Sequence, residues 1–213
     1  MRRKAYRAEA DHGAEELETK TTTSAASSAA AIEDCRIFEG KAMSKAVPGR
    51  SVEEKIKGIE ELAGLAADLK HRGVRIGLCH GTFDLLHPGH IRHLAAARRQ
   101  VDVLFVTLTA DRFIHKGPGR PVFNERLRAE SLAAIECVDY VGIAHYSTGI
   151  EIINQIRPHL YIKGSEYVHP QNDPTGKIHD EIEALRAVGG QMHYTDEITF
   201  SSSRLINSEF NLF

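Results

Sequence analysis

Alternation of short apolar runs with amphipathic runs predicts an α/β fold, a single domain built on one parallel sheet with helices on both faces. Length agrees, because 213 residues hold one such domain and a tail. The third observation is local. Over residues 74–98 an apolar run, a glycine-containing turn and a helical run follow one another. Free backbone N–H groups and the positive end of a helix meet at such a turn, where α/β folds bind anions.

Residues 1–50 stand outside this pattern. Thr19–Ala31 is nearly all Thr, Ser, Ala and Lys, and Met1–Glu18 is mostly charged. Such a stretch buries too little apolar surface to offset its ordering entropy, so it reads as a disordered N-terminal tail before a domain over residues 51–213. Its acidic residues Glu9, Asp11, Glu15, Glu16 and Glu18 argue against a transit peptide. Translation starting at Met43 is the other reading.

Ser51 and Glu54 form a capping-box pattern, and Ile56, Ile59, Leu62, Ala63, Ala66 and Leu69 then recur at helical spacing. Gly73 sits where a C-terminal glycine belongs. The five expected strands are Val74–Cys79, Val103–Thr109, Tyr140–Ala144, Leu160–Lys163 and Gln191–Tyr194. Helices start between them near His90, Asn124, Thr148 and Lys177, and a last one follows Ser201. Ligands of such sheets bind at the carboxyl ends of the strands, so the turn after Cys79 is the expected site.

Composition narrows the function. The 27 basic and 29 acidic residues are interspersed, which leaves no electrostatic footprint for a polynucleotide. Cys35, Cys79 and Cys137 contain no C-x-x-C pair, which argues against a disulfide framework or zinc ribbon and for a reducing compartment. Cys79 and Cys137 read as small core residues. No apolar run is long enough to span a bilayer and no signal-peptide core precedes the domain, so a cytoplasmic protein without membrane contact is expected.

The turn reads Gly81-Thr82-Phe83-Asp84-Leu85-Leu86-His87-Pro88-Gly89-His90. Two imidazoles three residues apart stand at its mouth, each able to donate to phosphoryl oxygens. The string resembles the motif of the nucleotidylyltransferases that carry H-x-G-H, the cytidylyltransferase-like superfamily. That resemblance implies a Rossmann-like five-stranded sheet and nucleotide phosphates bound by His87 and His90, with His90 stabilising charge on the transferred α-phosphate. Gly81, Thr82, Phe83, Asp84 and Gly89 would belong to the same nucleotide-binding turn. His80 and His93 read as structural. A zinc site from His80, His87, His90 and His93 is disfavoured by the intervening strand, turn and helix.

Three further segments occur in the family's order. His115–Pro121 places two cations among glycines and prolines, an anion-seeking flap, and Lys116 resembles the family lysine that reaches substrate phosphate. Asn124 can cap the next helix, with Glu125 complementing its dipole. Arg126 matches the family's N-E-R arginine for the β- and γ-phosphates, whereas Arg128 reads as a solvated helix residue. Ser201, Ser202 and Ser203 can cap the last helix, and they resemble the family's S-T-T or S-S-S stretch, which adds phosphate binding.

Asp196-Glu197-Ile198-Thr199 stands where choline- and glycerol-phosphate cytidylyltransferases carry an arginine. The helix and strand before the motif, Gly119–Pro121, Ala133–Tyr140 and Ile162–Tyr167 are similar instead to the nucleotidylyltransferase domain of bifunctional ADP-heptose synthases. This resemblance implies transfer of an NMP group from ATP or CTP to a sugar phosphate, giving an NDP-sugar and pyrophosphate. Lys163 and Gly164 would serve the sugar phosphate from the carboxyl end of the fourth strand. The sequence departs from the family at His169–Gly176, an insertion-like stretch. Mg²⁺ bridging the phosphates is expected; no protein ligand is assigned, and Asp84 is the most tempting. Expected partners are an NTP and a phosphorylated acceptor, a second copy in a homodimer, and a separate sugar kinase. Two other readings are a cytidylyltransferase for a polyol or amino-alcohol phosphate such as glycerol 3-phosphate, and a non-catalytic nucleotide-binding module.

Overall fold

In the computed structural model the described residues are 50–168, 176–197, Ser202 and Ile206. The expected tail up to residue 49 and most of the insertion-like stretch, 169–175, lie outside them. Six strands form one sheet: β1 (Ile56–Lys57), β2 (Ile76–Gly81), β3 (Val103–Thr109), β4 (Tyr140–Ala144), β5 (Leu160–Gly164) and β6 (Gln191–Thr195). Their order is β1-β4-β3-β2-β5-β6 and every neighbouring pair is parallel. From β2 the chain adds β3 and β4 on one side, then returns to place β5 and β6 on the other. The order reverses beside β2, so the carboxyl end of β2 opens on the crevice where doubly wound sheets bind ligands.

Five strands fall within two residues of their expected places. The sixth, β1, corrects both the five-strand expectation and the expectation of one helix running on from Ser51. The capping box does form: Ser51 N donates to Glu54 Oε2 at 2.8 Å and Glu54 N to Ser51 Oγ at 3.3 Å. It opens only α1 (Val52–Lys55), after which Ile56 is extended (φ −84°, ψ 121°) and Gly58 caps α2 (Ile59–His71). Glycine is a poor residue inside a helix, and β4 offers an otherwise open row of backbone groups. Ile56 and Lys57 pair with Val141 and Gly142 there. The spacing of Ile56, Ile59 and Leu62 suits a helix, and strand pairing overrides it at Ile56.

Two apolar layers follow from the alternation of side chains along the strands. On one face α3 (Pro88–Arg98) and α4 (Glu125–Ala133) cover Leu104, Val106 and Ile162 with Leu94, Ala97 and Leu132. On the other, α2, α5 (Ile150–Ile156) and α6 (Ile178–Ala187) cover Ile76, Leu78, Phe105 and Tyr161. Cys79 is buried in the first layer and Cys137 packs at its border, both as free thiols. The described residues all belong to one compact unit. Among them no helix is long and apolar enough to cross a membrane.

Candidate active site

The β2 strand ends at Gly81 and the chain doubles back. Phe83 takes a left-handed backbone (φ +48°), a costly conformation for a large side chain. Its ring folds toward the strand end, so that a Cβ at Gly81 would stand 3.3 Å from Phe83 Cε2. A strained turn needs fixing from outside, and Arg128 supplies it. The buried guanidinium of Arg128 donates to Thr82 O, to Thr109 O at 2.9 Å and, through Nε, to Phe123 O at 3.0 Å. It also pairs with Asp111 Oδ1 at 2.6 Å. The expectation that Arg128 is solvated is therefore corrected. It lies on the inward face of α4 with Ala129, Leu132 and Ala133. Carbonyls at the ends of β2 and β3 thus receive a side-chain donor.

Asp84 acts in the same sense. Its Oδ1 accepts from Val122 N at 2.7 Å and its Oδ2 from Arg120 Nε at 2.5 Å, with both side chains almost wholly buried. The carboxylate thus ties the turn to the segment leading into α4. Both carboxylate oxygens of Asp84 are thus engaged in fixing the turn. Among the described residues no group of three or more His, Cys, Asp or Glu side chains is placed to hold a metal ion.

His87 is the N-cap of α3, with Pro88 in the first helical turn, and its Nδ1 accepts from His90 N at 3.3 Å. The cap sets the ring of His87 on that of His90: the centroids are 3.8 Å apart and the planes 18° from parallel. Phe83 closes the other side at 5.4 Å. Burial, then the neighbouring His87, His93 and Lys116, push the His90 imidazole down to about 3, and burial also lowers His87. Both rings are therefore neutral at pH 7. His90 Nδ1 is buried and makes no hydrogen bond among the described residues. His80 and His93, by contrast, each meet a threonine: His80 Nδ1 lies 3.0 Å from Thr107 Oγ1, and His93 Nδ1 lies 2.6 Å from Thr195 Oγ1.

Around this pair the expected residues sort themselves. Lys116 is close enough to act on His90, and its own ammonium is lowered first by desolvation and then by Arg120. Ser202 Oγ donates to Leu85 O at 2.9 Å, which brings Ser202 to the turn; Ser201 and Ser203 lie outside the described residues. Arg126 pairs with Glu130 at 2.7 Å on the exposed side of α4, along a shallow cleft with Asp111, Arg112 and His145. The arginine that enters the turn is Arg128. Lys163 is buried at the end of β5, and its Nζ stands 3.1 Å from Glu181 Oε2. Glu181 and Arg128 escape sequence reasoning because their charge suggests solvent. The available signal is that each falls on the apolar face of its helix, Glu181 between Ile178 and Leu185 on α6.

Comparison with known proteins agrees with this architecture. The family described as cytidylyltransferase-like matches residues 78–208. The bifunctional protein HldE of Rhodopseudomonas palustris (strain BisB5) is 39% identical over 197 residues, covering 87% of this chain but only 39% of the relative. Among solved structures, the lipopolysaccharide core biosynthesis protein of Thermoplasma volcanium GSS1 superposes with a TM-score of 0.50 at 19% identity, covering 60% of this chain and all of that one. Pantoate-beta-alanine ligase of Francisella tularensis gives 0.53 at 14% identity, covering 71% of this chain and 72% of that one. These two likenesses concern the fold alone, and the fold is Rossmann-like. Since the family match runs from the middle of β2 past the last strand and takes in the whole H-x-G-H turn, the chain belongs to the cytidylyltransferase-like family of nucleotidyltransferases.

Proposed function

We propose that this chain transfers an NMP group from an NTP, ATP before CTP, to a sugar phosphate, releasing pyrophosphate and forming an NDP-sugar of the ADP-heptose-synthase type. The observation that carries the proposal is the stacked His87–His90 pair, capped onto the N-terminus of α3 at the point where the sheet order reverses. Nucleotidyl transfer asks little covalent chemistry of a protein. It asks for donors held in advance where negative charge grows. A pair of neutral imidazoles offers N–H groups without repelling each other, and the helix end adds backbone amides.

In this reading the acceptor phosphate attacks the α-phosphorus in line and pyrophosphate leaves, with no enzyme-bound intermediate. His87, His90 and Lys116 stabilise charge on the transferred phosphoryl group. Arg126 and the hydroxyls of Ser202 and Ser203 serve the leaving pyrophosphate, with Ser201 in the same nucleotide-binding stretch. Gly81, Thr82, Phe83, Asp84 and Gly89 shape the turn that receives the nucleotide. Mg²⁺ would enter with the triphosphate and neutralise part of its charge; no protein ligand is assigned to it, and no step here depends on a protein-held ion. A homodimer and a separate kinase that phosphorylates the sugar complete the proposal.

Pyrophosphate release with Mg²⁺ tests it, screening four NTPs against phosphorylated sugars and polyols. Turnover of ATP with a heptose 1-phosphate is expected. Turnover of CTP with glycerol 3-phosphate would replace this reading with the polyol one. Nucleotide binding without turnover of any pair would make the chain a non-catalytic module.

A further inference from the structure

Tyr161 faces the layer formed by α2, α5 and α6, so Lys163, two residues on, leaves the same face of the sheet at the carboxyl end of β5. Its ammonium is held between two aromatic rings, 4.9 Å from the centroid of Tyr161 and 5.0 Å from that of Tyr167. Glu181 is fixed behind it. Beyond the 3.1 Å contact with Lys163, its carboxylate accepts from Tyr161 Oη at 3.2 Å and from Gly149 N at 3.2 Å. A Cβ at Gly149 would stand 2.7 Å from both Glu181 Oε1 and Tyr161 Oη, so glycine is what lets the carboxylate approach. A second carboxylate lies over the strand end, since a Cβ at Gly164 would fall 2.1 Å from Glu166 Oε2.

Among the described residues, one cation is set against two carboxylates here, a poor place for a phosphate. The histidine turn has the opposite character, with Lys116 and Arg120 beside it. What the end of β5 offers is a neutralised ammonium donor, an exposed carboxylate acceptor and a half-buried tyrosine ring. A polyhydroxyl ring needs that mixture of donor, acceptor and apolar plane. Resting on the sugar-phosphate reading above, we propose that Lys163, Glu166 and Tyr167 form the subsite that reads the hydroxyl groups of the acceptor sugar, with Glu181 as the positioning residue that holds Lys163. The acceptor's phosphate then belongs at the histidine turn, and Lys163 binds its sugar.

Steady-state kinetics with ATP and a heptose 1-phosphate separates the two roles. Lys163→Met is expected to raise the acceptor KM about tenfold or more, with the KM for ATP within about twofold of wild type. The surface change Glu166→Ala should raise it about fivefold. These ratios should not shrink between low and high KCl, because hydroxyl contacts are screened little. Glu181→Gln should show the same split between acceptor and ATP, which a merely structural role would not produce. Acceptor KM values within twofold of wild type in both Lys163→Met and Glu166→Ala, or ratios that collapse in salt, would overturn the subsite. If the wild-type chain turns over no acceptor, the sugar-phosphate reading falls. Saturation-transfer NMR with the unphosphorylated heptose then decides the subsite separately. Transfer to ring protons that weakens in Glu166→Ala supports it, and no transfer to the wild type refutes it.

Discussion

Arg128 Nη2 lies 2.6 Å from Asp111 Oδ1, and the same guanidinium reaches carbonyls on three other segments: Thr82 after β2, Thr109 at the end of β3, and Phe123 before α4. One side chain therefore ties together the pieces that surround the H-x-G-H turn. Lysine has a single nitrogen and cannot span them. Arg128→Lys is expected to destabilise the fold by about 2–4 kcal/mol, since the buried guanidinium loses its bond to the partly exposed Asp111 and carbonyls are left without donors. Urea denaturation checks the stability. Pyrophosphate release at a temperature where the variant remains folded should fall at least about 100-fold, because the turn loses its support. A variant as stable and active as wild type would remove Arg128 from this role.

The two charges that organise the site were the least legible residues. Local signals read well: the ten-residue turn is contiguous, the Asn124 cap forms (Leu127 N to Asn124 Oδ1, 3.0 Å), and the strands carry continuous apolar runs. Arg128 and Glu181 depend on partners between 5 and 46 residues away in sequence, and nothing in their own neighbourhoods announces those partners. Arg126 has the motif resemblance while Arg128 has the geometry, because an arginine two positions along a helix faces another way. β1 failed for a related reason. Ile56 satisfies a helical period and a strand ladder equally well, and only the open edge of β4 decides between them.

Two glycines on the same face of the sheet give opposite signs. Gly64 lies exposed within α2, and an added Cβ there would meet nothing within 4 Å. Gly64→Ala should stabilise the protein by about 0.5–1 kcal/mol through helix propensity. Gly149→Ala places its methyl group 2.7 Å from the Glu181 and Tyr161 oxygens and should destabilise by about 1–3 kcal/mol. Chemical denaturation of the pair checks both. An unperturbed Gly149→Ala would show that the network around Lys163 is loose.

Acid should unfold the protein steeply. Burial pushes His80 and His90 down to about 3 and His93 down to about 4, against an ordinary value of 6.5. A base whose pKa is depressed by folding binds fewer protons folded than unfolded, so its contribution is complete above pH 6.5 and is lost as pH falls toward the folded value. Between pH 6 and pH 4.5 unfolding should take up two to three protons from solvent onto these residues. Each proton lowers the folding equilibrium constant about tenfold per pH unit. Urea midpoints across that range measure the slope. His80→Gln and His93→Gln should each flatten it by nearly one proton, and an unchanged slope in both would contradict the burial of neutral imidazoles.

His90 joins this stability effect to the proposed chemistry. Its imidazole is neutral when no nucleotide is present, and its Nδ1 has no hydrogen bond among the described residues. One unit of negative charge about 4 Å away stabilises a cation by about 4 kcal/mol at an effective dielectric constant near 20, close to three pH units. A triphosphate at the turn is thus sufficient to return His90 to the range where histidine titrates. Nucleotide binding should then take up a substantial fraction of a proton at pH 6.5 and little at pH 8, and affinity should rise as pH falls between them. Calorimetric titration of ATP in two buffers of different ionisation enthalpy reads the uptake directly. His90→Ala should abolish it and cost about 10²–10³ in turnover, the effect of losing one preorganised donor. Proton uptake that persists in His90→Ala would assign the titration to His87. Turnover within a few fold of wild type would remove His90 from the transfer step.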